Sequence, residues 1–411
     1  MTFRECRDMY GISFLPDGLE RYYDGSTNTS PLIDRRWLDS VFEKYSVGRS
    51  ARADFMCALE LAESDDGLCS FTHFIVEQTC AQRNRLDGEH INITSCAFLH
   101  DYGEYYPMII LLACVLPASE SLRRRDVPES FYSDIPYRVI GGMMRGLDRG
   151  EMTLSFPWNA NFCTCSIFSF GRFYLIPHRF SADFDVMRRG DGQTAAVMHG
   201  GTCIRLPDGQ YDGVCGVHGN KTFDTVYELC DGSLTANPIS PVGFVSEKTF
   251  TFDTREWRKV LHDGDCMLAL HIPGGPGYTP DGVRECAERG LEFYRRYFPE
   301  LDIKGLWSES WLYDPHLRLV LPRTSGIITV QDSLYCVPFG GAHASIHSEL
   351  RARNGRKTSL EISAERYEER GGTFNSCCMF VLAQDIPHIG ENRYLYGTKG
   401  ERTRFELANM P

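Results

Sequence analysis

A glycine-rich loop between a short apolar segment and a helix constrains the fold of this chain more than any other stretch. Residues Met267–Ile272 are apolar apart from His271, and Pro273 ends the run because proline cannot donate a hydrogen bond to a neighbouring strand. We interpret this run as a buried strand. The loop behind it contains three glycines, which allow backbone angles closed to other residues and the close approach of a ligand: Gly274, Gly275 and Gly277.

The helix after this loop is indicated by its first residues and by its apolar spacing. Thr279 is a good N-cap, Pro280 suits the first helical position, and Asp281 interacts favourably with the helix dipole. Apolar residues then recur on one face as far as Phe298, and Pro299 ends the helix. Unpaired N–H groups and about half a positive charge lie at such a helix start, so the sequence predicts a site for an anionic group. A glycine-rich surface connection is the alternative interpretation.

Composition and charge narrow the class of protein. With 411 residues, of which 42% are apolar and 24% charged, the chain is expected to form two or three globular domains. A net charge of −12 argues against nucleic acid or an anionic membrane as the main partner. No signal-like segment follows the first residues, and the longest apolar run, Met108–Leu116, is shorter than the ~20 residues of a membrane span. We therefore expect a cytoplasmic protein with no membrane partner, and leave its oligomeric state open.

The sixteen cysteines are spread through the chain and contain no Cys-x-x-Cys pair. The closest are Cys163 with Cys165, and Cys377 with Cys378. Without a secretory signal, reduced and mostly buried thiols are expected. A zinc site needs paired ligands at short fixed spacings, so the sequence predicts no metal.

Residues 1–150 carry the spacing of amphipathic and buried helices, and predict a helical N-terminal domain without chemistry of its own. Four of the predicted helices are Leu32–Tyr45, Ala51–Ser64, Leu68–Gln82 and Tyr106–Ser121. We expect Ser30 and Pro31 to cap the first of these. Three histidines in this domain have no acidic partner at a meaningful spacing and are interpreted as structural or surface residues: His73, His90 and His100.

Residues 151–411 predict a second domain that is richer in strands. Frequent glycine, aspartate and asparagine between about 190 and 248 indicate hairpin turns, so we expect a turn-rich β insertion there. The later predicted elements are a helix-like piece over Phe250–Val260, strands over Ile303–Tyr313, Gly326–Val330 and Cys377–Leu382, and a helix over Thr358–Gly371. The order strand, loop, helix, strand, short helix, strand is the core order of a GNAT-type acyltransferase.

Several motifs make that resemblance more specific. The run CMLALHIPGGPGYTPDGVRECAERGLEFYRRYFPE followed by SWLYDPHL resembles the C-terminal half of a family of bacterial acyltransferases. Members of that family pair a helical N-terminal acyltransferase domain with a GNAT-like C-terminal domain. FSFGRFYLIP and TSLEISAERYEERGG also resemble its pattern, so the similarity spans roughly residues 105–372. The usual phosphate-loop signature, Arg/Gln-x-x-Gly-x-Gly/Ala, is only approximated by Ile272–Gly277.

The resemblance implies an α+β protein, with a helical N-terminal domain followed by a GNAT-like mixed α/β domain with a central sheet. It implies an acyl-CoA-dependent N-acyltransferase, using acetyl-CoA or another acyl-CoA as co-substrate and a small-molecule acyl acceptor. Five residues would then cradle the coenzyme pyrophosphate: Gly274, Gly275, Gly277, Tyr278 and Thr279. A backbone N–H near Ile272 or Gly274 would meet the oxyanion.

Candidate catalytic side chains lie on the two strands beside the loop. An attacking amine must lose a proton, and His271 has a reference pKa of about 6.5, suited to a general base. Glu309 is the alternative base. Strand alternation groups Ser308 and Ser310 as substrate-binding residues on one face, with Tyr313 as a donor to the departing sulfur. The alternative for each is an ordinary packing role in a half-buried strand.

Three other functions are weighed against this one. Covalent catalysis would use Cys266, Cys286 or Cys336, but none has a sequence neighbour that would lower its pKa. A serine hydrolase would need Gly-x-Ser-x-Gly, which is missing from the sequence. A non-catalytic GNAT-like ligand-binding or interaction module remains the alternative to the enzyme, because the loop signature is imperfect.

Overall fold

The computed structural model describes residues 1–81, 88–152, 154–201, 223–338, 357–372, 374 and 377–396. It divides into two compact units, Met1–Ser169 and Phe170–Pro411. The sequence predicted a border after residue 150. The border between the compact units lies later in the sequence, after Ser169, because residues 151–169 include one more helix, Phe156–Cys163.

The first unit is helical. Its α-helices are α1 Phe3–Tyr10, α2 Arg35–Lys44, α3 Arg49–Ser64, α4 Asp66–Ala81, α5 Tyr106–Arg123, α6 Tyr137–Arg149 and α7 Phe156–Cys163. Helix α2 begins later than predicted, because Asp34 is the residue whose side chain caps it, accepting a hydrogen bond from Trp37 N at 2.8 Å.

Helix α5 lies at the centre of this unit, and its residues from Tyr106 to Val115 are buried. The segment Ala97–Arg123 is long and apolar enough to cross a membrane by length and composition, but 67% of its most apolar window is buried inside the protein. Burial on all sides explains why the apolar residues of this helix run nearly all round it.

The second unit is built around sheets. Within the described residues, strand β1, Phe168–Phe170, spans the border, and the strands after it are β2 Phe173–Arg179, β3 Phe184–Arg189, β4 Thr194–Met198, β5 Tyr227–Cys230, β6 Ser233–Ala236, β7 Pro238–Ile239, β8 Phe250–Asp253, β9 Trp257–Leu261, β10 Cys266–His271, β11 Ile303–Ser310, β12 Tyr335–Pro338 and β13 Cys377–Leu382. They pair in three sheets, in the orders β1-β2-β10-β11-β13-β12, β7-β4-β3-β9 and β5-β6-β8. The α-helices among the described residues of this unit are α8 Pro280–Tyr297, α9 Leu317–Val320, α10 Gly326–Ser333, α11 Ser359–Glu368 and α12 Arg393–Tyr396.

The largest sheet is mixed, and its central pair is parallel. Strands β10 and β11 run parallel, while β2 lies antiparallel on the other side of β10. Helix α8 connects β10 to β11 and packs on one face of this sheet, where a methyl group at Gly290 would clash with Leu175 Cδ1. The predicted α+β class, with a helical first part and a mixed α/β second part around a central sheet, is confirmed.

Three local predictions are wrong. Phe250–Val260 forms β8, a turn and β9 instead of a helix, because its aromatic residues alternate into an apolar core with Leu234. Gly326–Val330 forms the first turns of α10, because Ser325 caps the helix by accepting a hydrogen bond from Ile328 N, and this overrides the strand preference of its β-branched residues. The predicted strand Ile303–Tyr313 ends at Ser310, as described below.

The predicted turn-rich β insertion falls partly on residues 202–222, which lie outside the described residues. On either side of them, the chain forms the hairpins β3–β4 and β5–β6.

Candidate functional site

Two parallel strands separate at the edge of a cleft. The register of β10 with β11 runs from Cys266 opposite Ile303 to Ala269 opposite Trp307, and the strands continue beyond that point. The Ser308 hydroxyl, at 4% exposure, donates to the carbonyl of Leu270 at 2.8 Å and joins the two strands where backbone pairing stops. A cleft of about 490 Å³ opens there, between the carboxyl ends of both strands. Ligands of open α/β sheets commonly bind at such a position.

The predicted glycine loop forms one wall of this cleft. Its residues from Gly274 to Gly277 are exposed. Gly275 and Gly277 have φ values of 125° and 92°, which other residues rarely adopt, so glycine is required at both positions. Gly274, Gly275 and Tyr278 line the cleft, and Gly277 and Thr279 complete the loop.

The loop leads directly into the start of α8. Thr279 is the N-cap, as predicted, and its hydroxyl accepts a hydrogen bond from Gly282 N at 3.2 Å. The positive end of an 18-residue helix dipole therefore lies beside the cleft. This arrangement suits a phosphate group.

Arg172, in the turn between β1 and β2, holds the loop in place. Its guanidinium donates to the carbonyl of Gly275 at 2.9 Å and also to the carbonyls of Pro273 and Pro276. Because the C=O and N–H of a trans peptide point in opposite directions, this directs the N–H groups of Gly274 and Gly277 away from Arg172. The sequence analysis missed this residue, since nothing in the sequence links a hairpin turn to a loop about a hundred positions later.

His271 and Glu309 lie on the same face of the central sheet. Leu270 pairs with Leu175, which packs against α8, so the next residue, His271, faces the opposite side. Trp307 pairs with Ala269 and therefore shares the face of His271. Glu309, two residues after Trp307, accepts a hydrogen bond from the Trp307 indole at 3.1 Å on that same side. The two predicted bases both line the cleft.

Burial keeps His271 neutral. Burial, and to a smaller extent the nearby His178, lower the pKa of His271 from 6.5 to about 4. The imidazole is therefore unprotonated at neutral pH and can accept a proton.

His178 is a further side chain on this face that the sequence analysis missed. Its ring lies parallel to Trp307, with centroids 6.4 Å apart. Burial lowers the pKa of His178, while the negative charge of Glu309 acts in the opposite direction. The period-two alternation of β2 could have placed it on the face of His271, but the register that brings these strands together is not visible in the sequence.

The hydroxyl groups of Ser308, Ser310, Tyr278 and Tyr313 lie on the α8 side instead. The Ser310 side chain accepts from Leu312 N at 3.1 Å and starts a short 3₁₀ helix, Trp311–Tyr313, which ends the strand earlier than predicted. Tyr313 is consequently fully buried, and burial raises its pKa. The hydroxyl of Tyr278 is buried as well and has no hydrogen-bond partner of standard geometry among the described residues. It lies close enough to Tyr313 for each to affect the pKa of the other.

The three cysteines weighed as nucleophiles are buried. Burial raises the pKa of Cys266 to about 11, and those of Cys286 and Cys336 to about 12. Their thiols stay protonated at neutral pH, which argues against covalent catalysis. Within the described part of the chain, no group of three or more His, Cys, Asp or Glu side chains could hold a metal ion.

Part of the chain matches a known protein family, and its fold is similar to those of solved structures. Residues 203–378 match the family model described as the GNAT-like C-terminal domain. No protein of curated function matches the sequence. Among solved structures, an acyltransferase in complex with decanoyl-CoA is similar, with a TM-score of 0.52 and 14% identity over 93% of this chain and 99% of that chain.

Two further solved structures give the same result. An acyltransferase in complex with decanoyl-CoA and teicoplanin has a TM-score of 0.52 and 13% identity over 93% of this chain and 100% of that chain. An acyltransferase mutant in complex with octanoyl-CoA has a TM-score of 0.50 and 13% identity over 93% of this chain and 99% of that chain. The chain thus carries a GNAT-like C-terminal domain, preceded in sequence by a helical region, and it shares its overall fold with acyltransferases.

Proposed function

We propose that this protein is an acyltransferase that moves an acyl group from acyl-CoA to the amine, or hydroxyl, of a small-molecule acceptor. One observation carries the proposal: an exposed glycine loop and a helix start meet the separated ends of two parallel strands, in a cleft that also contains His271. The complexes of similarly folded acyltransferases with decanoyl-CoA and octanoyl-CoA support it.

The coenzyme would bind along the glycine loop. The N–H groups of Gly274 and Gly277 and the start of α8 would receive its diphosphate, beside Tyr278 and Thr279. The acyl-thioester arm would then enter the gap between β10 and β11, where the Ser308 and Ser310 side chains lie. The reacting carbonyl would thus come close to the end of β10.

In the proposed reaction, the acceptor nitrogen attacks the thioester carbonyl carbon directly. His271, neutral because of its burial, takes the proton that the nitrogen loses, and Glu309 is the alternative base on the same face. A backbone N–H near Ile272 or Gly274 would stabilise the oxyanion of the tetrahedral intermediate. The carbon–sulfur bond then breaks, and the coenzyme leaves as a thiolate.

A tyrosine would donate a proton to that thiolate. Tyr313 was assigned this role from the sequence, but its side chain is fully buried. Tyr278 is better placed, because it lines the cleft and Tyr313 does not. The proton balance closes after the products leave, when His271 releases the proton that it took from the acceptor and Tyr278 regains one from water.

The second candidate function is a non-catalytic ligand-binding or interaction module with the same fold. Two features favour it: the loop departs from the usual phosphate-loop signature, and burial makes His271 a weaker base than an ordinary histidine. Such a module would bind an acyl-CoA without transferring its acyl group.

Binding and turnover together separate the two candidates. Ligand at ~100 times its dissociation constant adds about 2.7 kcal/mol to the free energy of unfolding, so acetyl-, octanoyl- and decanoyl-CoA are to be compared by thermal unfolding. We expect at least one of them to raise the unfolding midpoint, and a panel of amines then to release free coenzyme thiol. Stabilisation without thiol release would favour the module, and no stabilisation by any of the three would remove the coenzyme from both functions.

The pH dependence of the reaction should reflect the low pKa of His271. Dividing kcat/KM of the wild type by that of His271→Gln at each pH cancels the titration of the acceptor amine. We expect this ratio to stay constant from neutral pH down to about pH 5, and to fall only as His271 gains a proton near its pKa of about 4. A ratio that already falls around the ordinary histidine pKa of about 6.5 would show that burial does not keep this imidazole neutral.

A further inference from the structure

A second cleft, of about 590 Å³, lies in the turn-rich part of the second unit. Four of its ionisable residues come from four strands or their ends: Asp185 on β3, His199 directly after β4, Tyr227 on β5 and Lys259 on β9. Two glycines, Gly200 and Gly201, Thr225, Val226 and Glu228 complete the lining. None of these residues has a role in the proposed acyl transfer.

Asp185 is the centre of this cluster. Its carboxylate is 6% exposed and accepts three hydrogen bonds, from His199 Nε2 at 3.0 Å, Lys259 Nζ at 2.6 Å and the Tyr227 hydroxyl at 2.5 Å. Burial alone would raise the pKa of Asp185, but the three donors outweigh it and lower the pKa to about 2. The carboxylate therefore stays ionised and orients all three partners.

Folding alone does not account for such a cluster. Taking a carboxylate and an ammonium out of water costs free energy that their attraction recovers only in part, and apolar residues of similar size often serve stability as well. The partners of Asp185 are also not sealed inside the protein, since the side chains of His199 and Lys259 are 42% and 37% exposed. Oriented polar groups at the surface of a concave cleft are typical of a ligand site.

The remaining hydrogen-bonding capacity of the cluster indicates what would bind. Nε2 of His199 faces a carboxylate, so in the neutral ring it carries the proton and Nδ1 is left as an acceptor. Lys259 gives one N–H to Asp185 and has two more to donate. One hydroxyl group of a ligand can donate to Nδ1 while a neighbouring hydroxyl accepts from Lys259.

The charges argue against an ionic ligand. The charges of Asp185 and Lys259 cancel each other, which leaves the exposed carboxylate of Glu228 to repel an anion. A cationic ligand, in turn, finds no free acceptor at the centre of the cluster, because the Asp185 carboxylate is buried and already accepts three hydrogen bonds. We propose that this cleft binds a neutral, hydroxyl-rich ligand of the carbohydrate class, holding a pair of adjacent hydroxyl groups between His199 and Lys259. This site is separate from the acyl-CoA cleft in its lining residues, and the proposal does not depend on acyl transfer.

Saturation-transfer NMR on the full chain tests this site with methyl α-glucopyranoside, methyl α-mannopyranoside and methyl β-galactopyranoside as probes. We expect saturation transfer to at least one glycoside, with no displacement by sodium acetate or methylammonium chloride at equal ionic strength. Transfer to none of the three glycosides would overturn the proposal. Displacement by acetate or by methylammonium would overturn it too, because it would show an ionic site.

Two variants locate the binding. His199→Phe keeps the Asp185–Lys259 ion pair but removes the acceptor nitrogen, and we expect it to weaken glycoside binding at least tenfold. Val226→Trp fills the cleft without touching the polar cluster and should abolish the signal. The matched control is His262→Gln, which changes another exposed histidine paired with an aspartate and should bind as the wild type does. Wild-type binding by either folded cleft variant would contradict the proposed site.

Discussion

His271→Gln is expected to lower kcat by a factor of about 10² to 10⁴, the range that general acid–base catalysis contributes. Glutamine keeps the size and a hydrogen-bonding capacity of the side chain but cannot accept a proton near neutral pH. The affinity for acyl-CoA should stay near that of the wild type, because the diphosphate is expected to bind at the glycine loop and the start of α8. Steady-state kinetics with decanoyl-CoA and an amine acceptor, together with calorimetric binding of the coenzyme, measure the two effects separately.

Two further variants make this result specific. His262→Gln is the control, since His262 is an exposed histidine that precedes β10 and pairs with Asp265 away from the cleft. Glu309→Gln tests the alternative base on the same face of the sheet. If His271→Gln turns over as the wild type does while Glu309→Gln loses activity, Glu309 is the base and the role proposed for His271 is wrong.

The glycine loop and the helix after it could be predicted because their signals are local. A cap, a proline at the first helical position and an apolar stripe act within a few residues of one another, and the structure has Thr279 as the cap and Pro280–Tyr297 as the helix. The strand before them was predicted for the same reason, as Cys266–His271 is a buried apolar run that ends near a proline.

Two elements were predicted wrongly because short-range preference and tertiary packing disagree. The β-branched residues from Ile327 to Val330 favour a strand, yet the hydroxyl of Ser325 and the packing of Ile328 in a buried cluster hold them in a helix. Phe250–Val260 was predicted to begin a helix, with Thr254 as a possible cap. There the Asp253 carboxylate accepts from Arg255 N and forms the turn instead.

The parts of the candidate site that the sequence could not reveal depend on strand order and register. The antiparallel pairing of β2 with β10 brings Arg172 to the glycine loop and His178 to the face of His271. The cluster around Asp185 likewise combines the β3–β4 hairpin with residues of β5 and β9, which come later in the sequence. A single sequence carries no direct signal for such pairings, although the alternation within each strand predicts which residues share a face.

The role predicted for Tyr313 as a proton donor at the cleft fails because of one residue, Ser310. Alternation placed Tyr313 on the serine face, and it does lie on that side, beside Tyr278. The strand ends at Ser310, however, because the Ser310 hydroxyl accepts the N–H of Leu312 and turns the chain into a 3₁₀ helix. The tyrosine is thereby buried, and the residue at the cleft is Tyr278, which the sequence had assigned to coenzyme binding alone.

Arg172 links the hairpin of β1 and β2 to the glycine loop that is proposed to bind the coenzyme. Its guanidinium binds the carbonyl groups of Pro273, Gly275 and Pro276, and its aliphatic part lies beside Gly277. The guanidinium also lies 5.3 Å from the centroid of the Phe173 ring, which restricts it from the other side. A loop held in this way is pre-organised for an anion. The loss of backbone conformational entropy when the anion binds is therefore small.

Arg172→Gln removes the charged group that holds the loop and is therefore expected to weaken the binding of decanoyl-CoA by roughly tenfold to hundredfold, the equivalent of about 1.4–2.8 kcal/mol. S-decanoyl-pantetheine lacks the diphosphate, so its weaker binding should not change. Calorimetric or competition measurements give the dissociation constants of both ligands for the wild type and for Arg172→Gln. Arg179→Gln, at the far end of β2, is the matched control because Arg179 is exposed and pairs only loosely with Asp263 at 3.5 Å. An equal loss for both ligands would mean that Arg172 supports the cleft as a whole, and undiminished binding of decanoyl-CoA would mean that this loop does not receive the diphosphate.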